Sequence, residues 1–404
     1  MTTIDEALAM VLSEAPPKDT DRIACSQAVG CVLAEDITAD LDSPPHRKSL
    51  VDGYAVCAAD TLNGEVCLAV IEEVFAGQVP TRPVKRGEAT RIMTGAPLPE
   101  GADAVAMVED TAIEPQSGDE QEVVRIKKAL SQHQNVQDRG SVMRTNDVVL
   151  KCGHRIRPIE IGLLSEVGRT EVSVFQRPSV SILPTGDELV APSKIPGPGQ
   201  IRNTNGPMLE ALAQSSGATA NPLGIGRDDV PKLRTTIENG LMNSDVLVLS
   251  GGVSMGRKDF VPGVLDELGV QKIFHRVQLR PGKPIWFGVW KNSDHQTLVF
   301  GLPGNPVSSF VCFHLFVRPA IAALQGARNQ NRHGVVHLDN DFTLQGNRPT
   351  YFPARYIGSS DTIELLSWKG SADQRTMCDA DCLAFFPSAG DYSQGQSIEA
   401  LPLL

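Results

Sequence analysis

The sequence predicts a protein of several domains, one of them a three-layer α/β domain and the others built mainly from β-strands. With 404 residues, the chain is too long for one ordinary core, since domains usually run to ~100–200 residues. Strands and helices alternate from Ser179 to about Gly326, which predicts a parallel sheet with helices on both faces. Short β-like runs separated by Gly and Pro fill the segment from Ser43 to Val149, and they return from about Gly334.

Two helical segments lie outside the alternating region. Thr3 and Glu6 form a capping-box pattern at the first, whose apolar residues recur on one face until Pro16 ends the helix. The second pattern runs over Pro158–Leu164, after the first β-like segment. Both patterns predict helices that flank this β-like segment.

Within the alternating region, strands and helices are predicted from apolar runs, periodicity and caps. The predicted strands are Val180–Leu183, Asp245–Leu249 and Thr297–Phe300. The predicted helices are Pro207–Ala213, Val230–Glu238, Phe260–Leu268 and the long apolar Val307–Leu324. Asn205 is a candidate cap of the first, Asp229 caps the second, and Gly269 ends the third.

The composition argues against several classes of function. The 37 basic and 48 acidic residues give a net charge of −11, which argues against general binding to nucleic acid or to an anionic membrane. Met1–Thr20 has neither the basic nor the apolar region of a signal peptide, and no apolar run approaches the ~20 residues of a membrane span. The eight cysteines form no CxxC pair, and the closest two, Cys378 and Cys382, have no second pair to complete a zinc site. We therefore expect a cytoplasmic protein with reduced thiols.

Glycine-rich loops follow all three predicted strands, at the strand ends where ligands collect in open α/β sheets. The loops are Pro184–Glu188, Ser250–Gly256 and Gly301–Pro306. Glycine lets the backbone approach a ligand closely, and N–H groups at the start of a helix bind phosphate. A single loop of this kind is usually only a turn, whereas several at one edge of a sheet indicate an anionic ligand.

The loop Leu279–Pro284 adds two cations, Arg280 and Lys283, which two prolines hold at a low entropic cost. By itself the loop is equally compatible with an anion site and with a basic hairpin turn on the surface. The neighbouring glycine loops favour the anion site.

Carboxylates form a second group beside the same loops. Asp187 and Glu188 end the first loop, directly after Thr185-Gly186, Asp228 lies where another strand should end, and Asp259 follows the second loop. Several carboxylates near a phosphate site predict Mg²⁺, a hard cation that takes oxygen ligands. Helix capping is the alternative, and it is favoured for Asp229, because a proline follows in the first turn.

Six strings of residues in the chain match a known pattern in their order and spacing. They are Val51–Val56, Ile92–Asp103, Thr185–Glu188, Ser250–Ser254, Pro281–Pro284 and Gly304–Pro306. The set resembles the molybdopterin molybdenumtransferase family, which includes bacterial MoeA and the E domain of gephyrin. The strings and their spacing cover nearly the whole chain, so chance does not account for the agreement.

The resemblance implies a fold of four parts. Residues 1–42 and 150–177 form a linker domain in two segments, residues 43–149 an inserted β domain, residues 178–326 the α/β/α molybdopterin-binding domain, and residues 327–404 a C-terminal β domain. It also implies a homodimer whose active cleft is shared between subunits. The implied reaction belongs to molybdenum-cofactor biosynthesis: a Mg²⁺-dependent insertion of molybdate into adenylylated molybdopterin, with release of AMP. Other cofactor-assembly proteins and apo-molybdoenzymes are implied as further partners.

Carried onto this chain residue by residue, the resemblance implies a catalytic, a cofactor-binding and a metal-binding group. The catalytic residues are Glu188, Asp259, Lys283, Asp52 and Thr94, of which the last two reach the cleft from the partner subunit. The cofactor-binding residues are Thr185, Gly186, Asp187, Ser250, Gly251, Gly252, Ser254, Arg280, Pro281, Gly282, Gly304, Asn305 and Pro306. The metal ligands are Asp187, Glu188 and Asp228. Within these groups, Ser250–Ser254 and Gly304–Pro306 form the anion cradle, and Lys283 lies where the family handles molybdate.

The chain departs from the family pattern at Ser141 and Val142, where two acids usually follow Arg-Gly, and at Arg280, which replaces a commoner lysine. Either the missing acids weaken Mg²⁺ binding, or Val142 packs against an apolar neighbour and the acids have no role here. The departure leaves open a non-catalytic or diverged paralogue that carries the cofactor. The preceding adenylyltransferase usually consists of the pterin-binding domain alone, so the extra domains argue against it. Molybdate and tungstate are not separated, since both are tetrahedral dianions of nearly equal size.

Overall fold

A computed structural model of the chain describes residues 1–114, 121–252, 260–327 and 333–403. The chain divides into two compact units. The first consists of residues 1–35, 152–161 and 171–404, and the second of residues 36–151 and 162–170. The helix Pro158–Glu166, predicted from the sequence, runs across this division. The finer division into four domains stays a prediction.

The first unit contains a six-stranded sheet whose strands are numbered here along the chain. They are β1 (Ser179–Pro184), β2 (Thr219–Pro222), β3 (Val246–Ser250), β4 (Gln271–His275), β5 (Trp286–Lys291) and β6 (Gln296–Leu302). Their order is β2-β1-β3-β6-β5-β4, and β2, β1, β3 and β6 run parallel. The expectation of a parallel sheet is therefore confirmed for these four strands, whereas β5 and β4 add an antiparallel hairpin at one edge.

Helices cover both faces of this sheet, which confirms the three-layer α/β/α prediction. In β3, Val246 and Val248 point into one core and Leu247 and Leu249 into the other, so this strand is buried on both sides. On the first face pack the helices Ile4–Ser13, Asn205–Ser215 and Pro306–Leu324, and on the second face pack Val230–Asn243 and Val261–Glu267. The predicted cap Asp229 is confirmed, since its side chain accepts a hydrogen bond from the N–H of Lys232 at 3.3 Å.

The helix Pro306–Leu324, with a π-helical turn at Phe313–Val317, corrects one expectation from the sequence. The helix has 19 residues, and an apolar window of 18 of them has a mean hydropathy of 1.7. By length and composition it could therefore cross a membrane. The expectation that no apolar run approaches that length is thus wrong. In this fold the apolar window is 78% buried inside the protein, because the helix packs in the core against the sheet.

The start of the chain belongs to the first unit. The capping box of the helix Ile4–Ser13 is confirmed, because Thr3 and Glu6 exchange hydrogen bonds between side chain and backbone at 2.9 and 3.2 Å. The strand Thr20–Ala24 pairs antiparallel with Glu171–Phe175, which joins two segments that lie far apart in the sequence.

The end of the chain is built mainly from β-strands, as the sequence predicts from about Gly334, and the structure closes these strands into a barrel. Its five strands are, in spatial order, Gly334–Leu338, Thr362–Leu365, Thr350–Tyr356, Cys382–Phe386 and Ser397–Pro402. A short pair, Phe342–Leu344 with Gly390–Tyr392, and a one-turn helix, Gln374–Met377, complete it.

The second unit is mostly β, which confirms the interpretation of the segment from Ser43 to Val149. Its six-stranded sheet has the order Ala104–Met107, Gly53–Val56, Glu88–Ile92, Val66–Val74, Val123–Ile126 and Thr111–Ile113. Two short pairs, Ile37–Thr38 with Val148–Leu150 and Lys48–Ser49 with Val136–Gln137, lie beside it.

Candidate functional site

The glycine-rich loops predicted from the sequence meet at the carboxyl ends of three adjacent parallel strands. The loops follow β1, β3 and β6, and β3 lies between the other two. Backbone hydrogen bonds tie each loop to its neighbour: the N–H of Thr185 donates to the carbonyl of Ser250 at 2.8 Å, and the N–H of Gly251 donates to Leu302 at 3.1 Å. Neighbouring parallel strands therefore bring the three loops to one edge of the sheet.

Gly251 occupies a position that only glycine fits without strain. Its φ is +84°, in the left-handed region, and a Cβ added there would lie 2.6 Å from the carbonyl oxygen of Thr185. The loop after β3 can therefore lie directly against the loop after β1.

A cavity of about 310 Å³ opens between these loops. It is lined by Pro184, Thr185, Glu188, Leu189, Ile201, Arg202, Asn203, Thr204, Asn205, Ser250, Gly251, Gly304, Asn305, Pro306 and Ala372. The lining includes seven of the predicted site residues, namely Thr185, Glu188, Ser250, Gly251, Gly304, Asn305 and Pro306. The volume lies within the range of about 300–1,000 Å³ that is typical of small-molecule sites.

Asn205 is a residue of this cavity whose position the sequence did not predict. The helix begins at Asn205 itself and its N-cap is Thr204, so the assignment of Asn205 as cap is wrong. Its side chain instead donates from Nδ2 to Ser250 Oγ at 2.6 Å and to the carbonyl of Gly304 at 2.9 Å. Asn205 thus joins the loops after β3 and β6, and Asn203, which precedes the N-cap Thr204, accepts a hydrogen bond from the N–H of Gly206 at 3.0 Å.

The carboxylates predicted as metal ligands lie beside the loop after β1. Asp187 and Glu188 are exposed, and Asp187 Oδ1 accepts a hydrogen bond from the N–H of Asp228 at 3.1 Å. Within the described ranges no group of three or more His, Cys, Asp or Glu side chains is arranged to hold a metal ion. The exposed pair fits a Mg²⁺ ion that keeps most of its waters and meets the protein through one or two carboxylates. Such an ion does not need a closed cage of protein ligands.

The loop with Arg280 and Lys283 reaches the same edge of the sheet. It joins the antiparallel strands β4 and β5, and β5 begins with Trp286 opposite Gly301, near the end of β6. The loop is therefore a hairpin connection, and it also lies beside the glycine loops. Lys283 is exposed, whereas Arg280 turns its Nη1 to the carbonyl of Gln345 in the barrel at 3.0 Å.

The centre of this hairpin loop packs against the helix Pro306–Leu324. Pro281 and Gly282 are buried, and Cys312 Sγ lies 3.6 Å from the carbonyl oxygen of Gly282. Gly282 has a φ of +119°, and a Cβ there would lie 2.5 Å from Cys312 Sγ. Burial raises the pKa of the Cys312 thiol, so it packs as a neutral group and is no nucleophile.

Asp52 and Thr94 lie in the second unit and are bonded to each other. Asp52 Oδ1 accepts from both the N–H and the hydroxyl of Thr94, each at 2.7 Å. These two bonds, the hydroxyl first, hold the pKa of the Asp52 carboxyl below its ordinary value. Both residues are exposed, so the pair presents an ionised carboxylate to its surroundings.

The residues that depart from the family pattern are also exposed in the second unit. Val142 is 66% exposed, and Ser141 is exposed as well. Within a single chain, Val142 is therefore not buried against an apolar neighbour, as the alternative requires. Ser254 and Asp259, predicted as site residues, lie outside the described residues.

The sequence pattern missed Asn203 and Asn205 as residues of the cavity. Their signal was present as two asparagines spaced by one residue between a polar loop and a helix. Asparagine at a helix start is usually a cap, but here neither asparagine is the N-cap, which is Thr204.

Comparison with known protein families assigns the two halves of the chain. Residues 2–168 match the MoeA N-terminal region (domain I and II), and residues 181–323 match a family described as a probable molybdopterin binding domain. The second match covers five strands of the sheet with the candidate site in full, and β1 from Ser181 onwards.

Full-length relatives and solved structures agree with these matches. The chain is 34% identical to the molybdopterin molybdenumtransferase of Staphylococcus aureus strain Mu50, over 98% of this chain and 94% of the relative. It is 33% identical to the protein of the same name from Staphylococcus epidermidis, over 81% and 76% of the two chains. The crystal structure of the molybdopterin biosynthesis MoeA protein from Pyrococcus horikoshii OT3 has a TM-score of 0.82 at 29% identity and covers 99% of this chain and 100% of its own.

Proposed function

Because the chain belongs to the molybdopterin molybdenumtransferase family, we propose that it inserts molybdate into adenylylated molybdopterin in a Mg²⁺-dependent reaction that releases AMP. The single observation that carries the proposal is the cavity at the carboxyl ends of β1, β3 and β6, within the segment that matches a molybdopterin-binding domain. The enzyme class and its place in molybdenum-cofactor biosynthesis are those of the family.

The pterin and its phosphate bind in the cavity. The loops after β3 and β6 supply backbone N–H groups and glycines, which allow an anionic group to approach the main chain closely. Thr185, Gly251 and Gly304 bring three such loops within reach of one ligand.

Mg²⁺ would be held by Asp187 and Glu188, with Asp228 beside them, and it would neutralise charge on the phosphoanhydride that is cleaved. The protein's part is to hold these carboxylates together in and beside the loop after β1. Glu188 lines the cavity, so it is the carboxylate that lies nearest to the bound substrate.

Molybdate is a dianion, and Lys283 is the cation offered to it. Its side chain is exposed, and its loop is buried at Pro281 and Gly282, so the charge stands on a rigid base. Arg280 contributes less, since one of its donors is committed to Gln345. The same arrangement would accept tungstate, and competition between the two oxyanions measures the preference.

The protein acts as a homodimer in the cytoplasm, with Asp52 and Thr94 of one subunit serving the cleft of its partner. Support comes from their conformation, since the two hydrogen bonds from Thr94 keep Asp52 ionised and exposed. Other cofactor-assembly proteins and apo-molybdoenzymes are its further partners. Light scattering tests the dimer, and a strictly monomeric active protein would remove the shared cleft.

Incubation with adenylylated molybdopterin, Mg²⁺ and molybdate tests the function directly. AMP release that requires both Mg²⁺ and molybdate supports it. Tight binding of the pterin without AMP release would favour the alternative of a diverged, non-catalytic carrier, which the exposed Ser141 and Val142 leave as a specific competitor.

A further inference from the structure

Asn205 is only 8% exposed, yet one of its polar atoms has no partner among the described residues. Its Nδ2 is saturated by Ser250 Oγ and the Gly304 carbonyl. This fixes the orientation of the amide, because the carbonyl of Gly304 must face a donor and not an oxygen. The atom left over, Oδ1, accepts no hydrogen bond from any described residue. A buried acceptor without a donor is costly, so such an atom in a cavity wall indicates a ligand or water that donates to it.

Ser250 complements this free acceptor. Its hydroxyl oxygen accepts from Asn205 at 2.6 Å, and among the described residues its hydrogen is donated to no other group. Ser250 is 1% exposed and lines the same cavity. An acceptor (Asn205 Oδ1) and a donor (the Ser250 hydroxyl) therefore belong to two hydrogen-bonded side chains, and both residues line the cavity.

Such a pair does not suit a phosphate or an oxyanion. At neutral pH these groups offer only acceptors, so they could use the hydroxyl of Ser250 but would be repelled by Oδ1. A lactam edge, with an N–H beside a C=O, satisfies both atoms at once. A pterin ring carries that edge, in the N3–H and the C4=O of its aminopyrimidinone half.

We infer that Asn205 and Ser250 bind the lactam edge of the pterin ring, so that this wall is the ring end of the cavity and the anionic groups lie further along the loops after β3 and β6. The inference rests on the proposed function, since it takes the ligand to be a pterin. It moves Ser250 from the anion cradle to ring recognition. It also makes Asn205 a positioning residue for the loops through Nδ2 and a binding residue through Oδ1.

The two roles can be separated with three variants of the full-length protein. Asn205→Asp keeps an oxygen at the position of Oδ1 but removes the Nδ2 donor that joins the loops. Asn205→Ala removes both. Asn203→Ala is the matched control: this asparagine lines the same cavity, but its oxygen is already used by the N–H of Gly206. Thermal melting of all proteins monitors their folding.

The probes are pterin and 3-methylpterin, which lacks the N3–H donor, and binding is followed by their own fluorescence. The wild-type chain is expected to bind pterin at least about tenfold more tightly than 3-methylpterin, because the methylated ring leaves Oδ1 without a donor. Asn205→Asp and Asn203→Ala should keep this ratio even where both probes bind more weakly. Asn205→Ala should reduce the ratio to about twofold or less.

Two results would overturn the inference while leaving the proposed function intact. A ratio that is the same in all four proteins would mean that Asn205 does not meet the lactam edge. A ratio lost equally in Asn205→Asp and Asn205→Ala would mean that Asn205 only joins the loops. A wild-type chain that binds no pterin and releases no AMP would instead remove the proposed function, and this inference with it.

Discussion

The candidate site residues of the two units are held in place by different means. In the α/β domain, backbone contacts between loops hold the site residues in place. The N–H of Thr185 bonds to the carbonyl of Ser250, and Gly251 fits against Thr185 only because it lacks a Cβ. In the β unit, the exposed pair Asp52 and Thr94 is held by two bonds to one carboxylate oxygen. The first arrangement is buried and depends on the fold, whereas the second is exposed and depends on two side chains.

From this difference we expect substitutions in the buried α/β loops to lower both stability and activity, and substitutions of the exposed pair in the β unit to lower activity alone. A buried backbone contact is lost together with the packing around it, so damage in the α/β loops should spread. An exposed side-chain bond can be removed with little effect on the fold, since water replaces it. The variants below test this contrast, and the expected effects decrease from one to the next.

The largest effect is expected for Gly251→Ala. The added Cβ would meet the carbonyl of Thr185 at 2.6 Å in a left-handed conformation, so strain and displacement should together cost about 2–4 kcal/mol and lower the melting temperature by several degrees. AMP release should fall at least about a hundredfold, because the cavity wall moves. Gly199→Ala is the control, since Gly199 has a φ of +75° but nothing within 4 Å, and it should lose only about 1 kcal/mol. Equal losses of stability in Gly251→Ala and Gly199→Ala would show that the left-handed backbone conformation determines the cost, and not the contact with Thr185.

Lys283→Ala should act on the substrate and leave the fold unchanged. The exposed ammonium makes no buried contact, so melting should not change, whereas the KM for molybdate should rise about tenfold or more with the loss of a charge-assisted bond. Pterin binding should stay within about twofold, because backbone groups and Asn205 hold the ring. Lys272→Ala, an exposed lysine on β4, is the matched control. Equal weakening of pterin and molybdate binding would refute the separate anion site.

The Asp52 pair should show itself in the acid dependence of stability. Thr94 lowers the pKa of Asp52 in the folded state, so the ionised carboxylate stabilises the fold above its ordinary value of 3.8, and this contribution is lost as the pH falls through the lowered pKa. Asp52→Asn and Thr94→Val should each flatten that part of the curve slightly, and neither should lower stability much at pH 7. Melting between pH 7 and pH 3 measures it. Asn205→Asp, in the buried α/β site, is the contrasting variant and should lose more stability at neutral pH. A larger loss of stability at pH 7 from Asp52→Asn would contradict the contrast between the buried and the exposed site.

The smallest effect on the fold is expected for Ser141→Glu combined with Val142→Asp. Both positions are exposed, with Val142 at 66%, so two added acids should leave the melting temperature unchanged. If acids at these positions help to hold the metal, the Mg²⁺ concentration for half-maximal AMP release should fall a few-fold, on the order of threefold. A Mg²⁺ titration of both proteins gives the answer, and an identical midpoint would show that the acids have no such role here.

Much of the fold follows from patterns that are local in the sequence. The strand Val246–Ser250 was predicted, to within one residue at each end, from the apolar run Asp245–Leu249, and the capping box of Thr3 and Glu6 was predicted from two residues three positions apart. The strands β4 and β5 and their place at the edge of the sheet were not predicted, although a hairpin turn was one of the two interpretations of the loop between them. Local periodicity does not record which strand becomes a neighbour.

The sequence by itself determined that glycine-rich loops follow buried strands and that cations and carboxylates lie near them, because these features depend on residue type and order alone. Only the tertiary structure decided what Asn205 does. A residue at a helix start caps that helix if nothing else competes, but its partners here lie 45 and 99 residues further along the chain. The direction of a polar side chain is set by the groups that the fold brings to it. Because β3 and β6 are parallel neighbours, Ser250 Oγ and the carbonyl oxygen of Gly304 both lie within reach of the Asn205 amide.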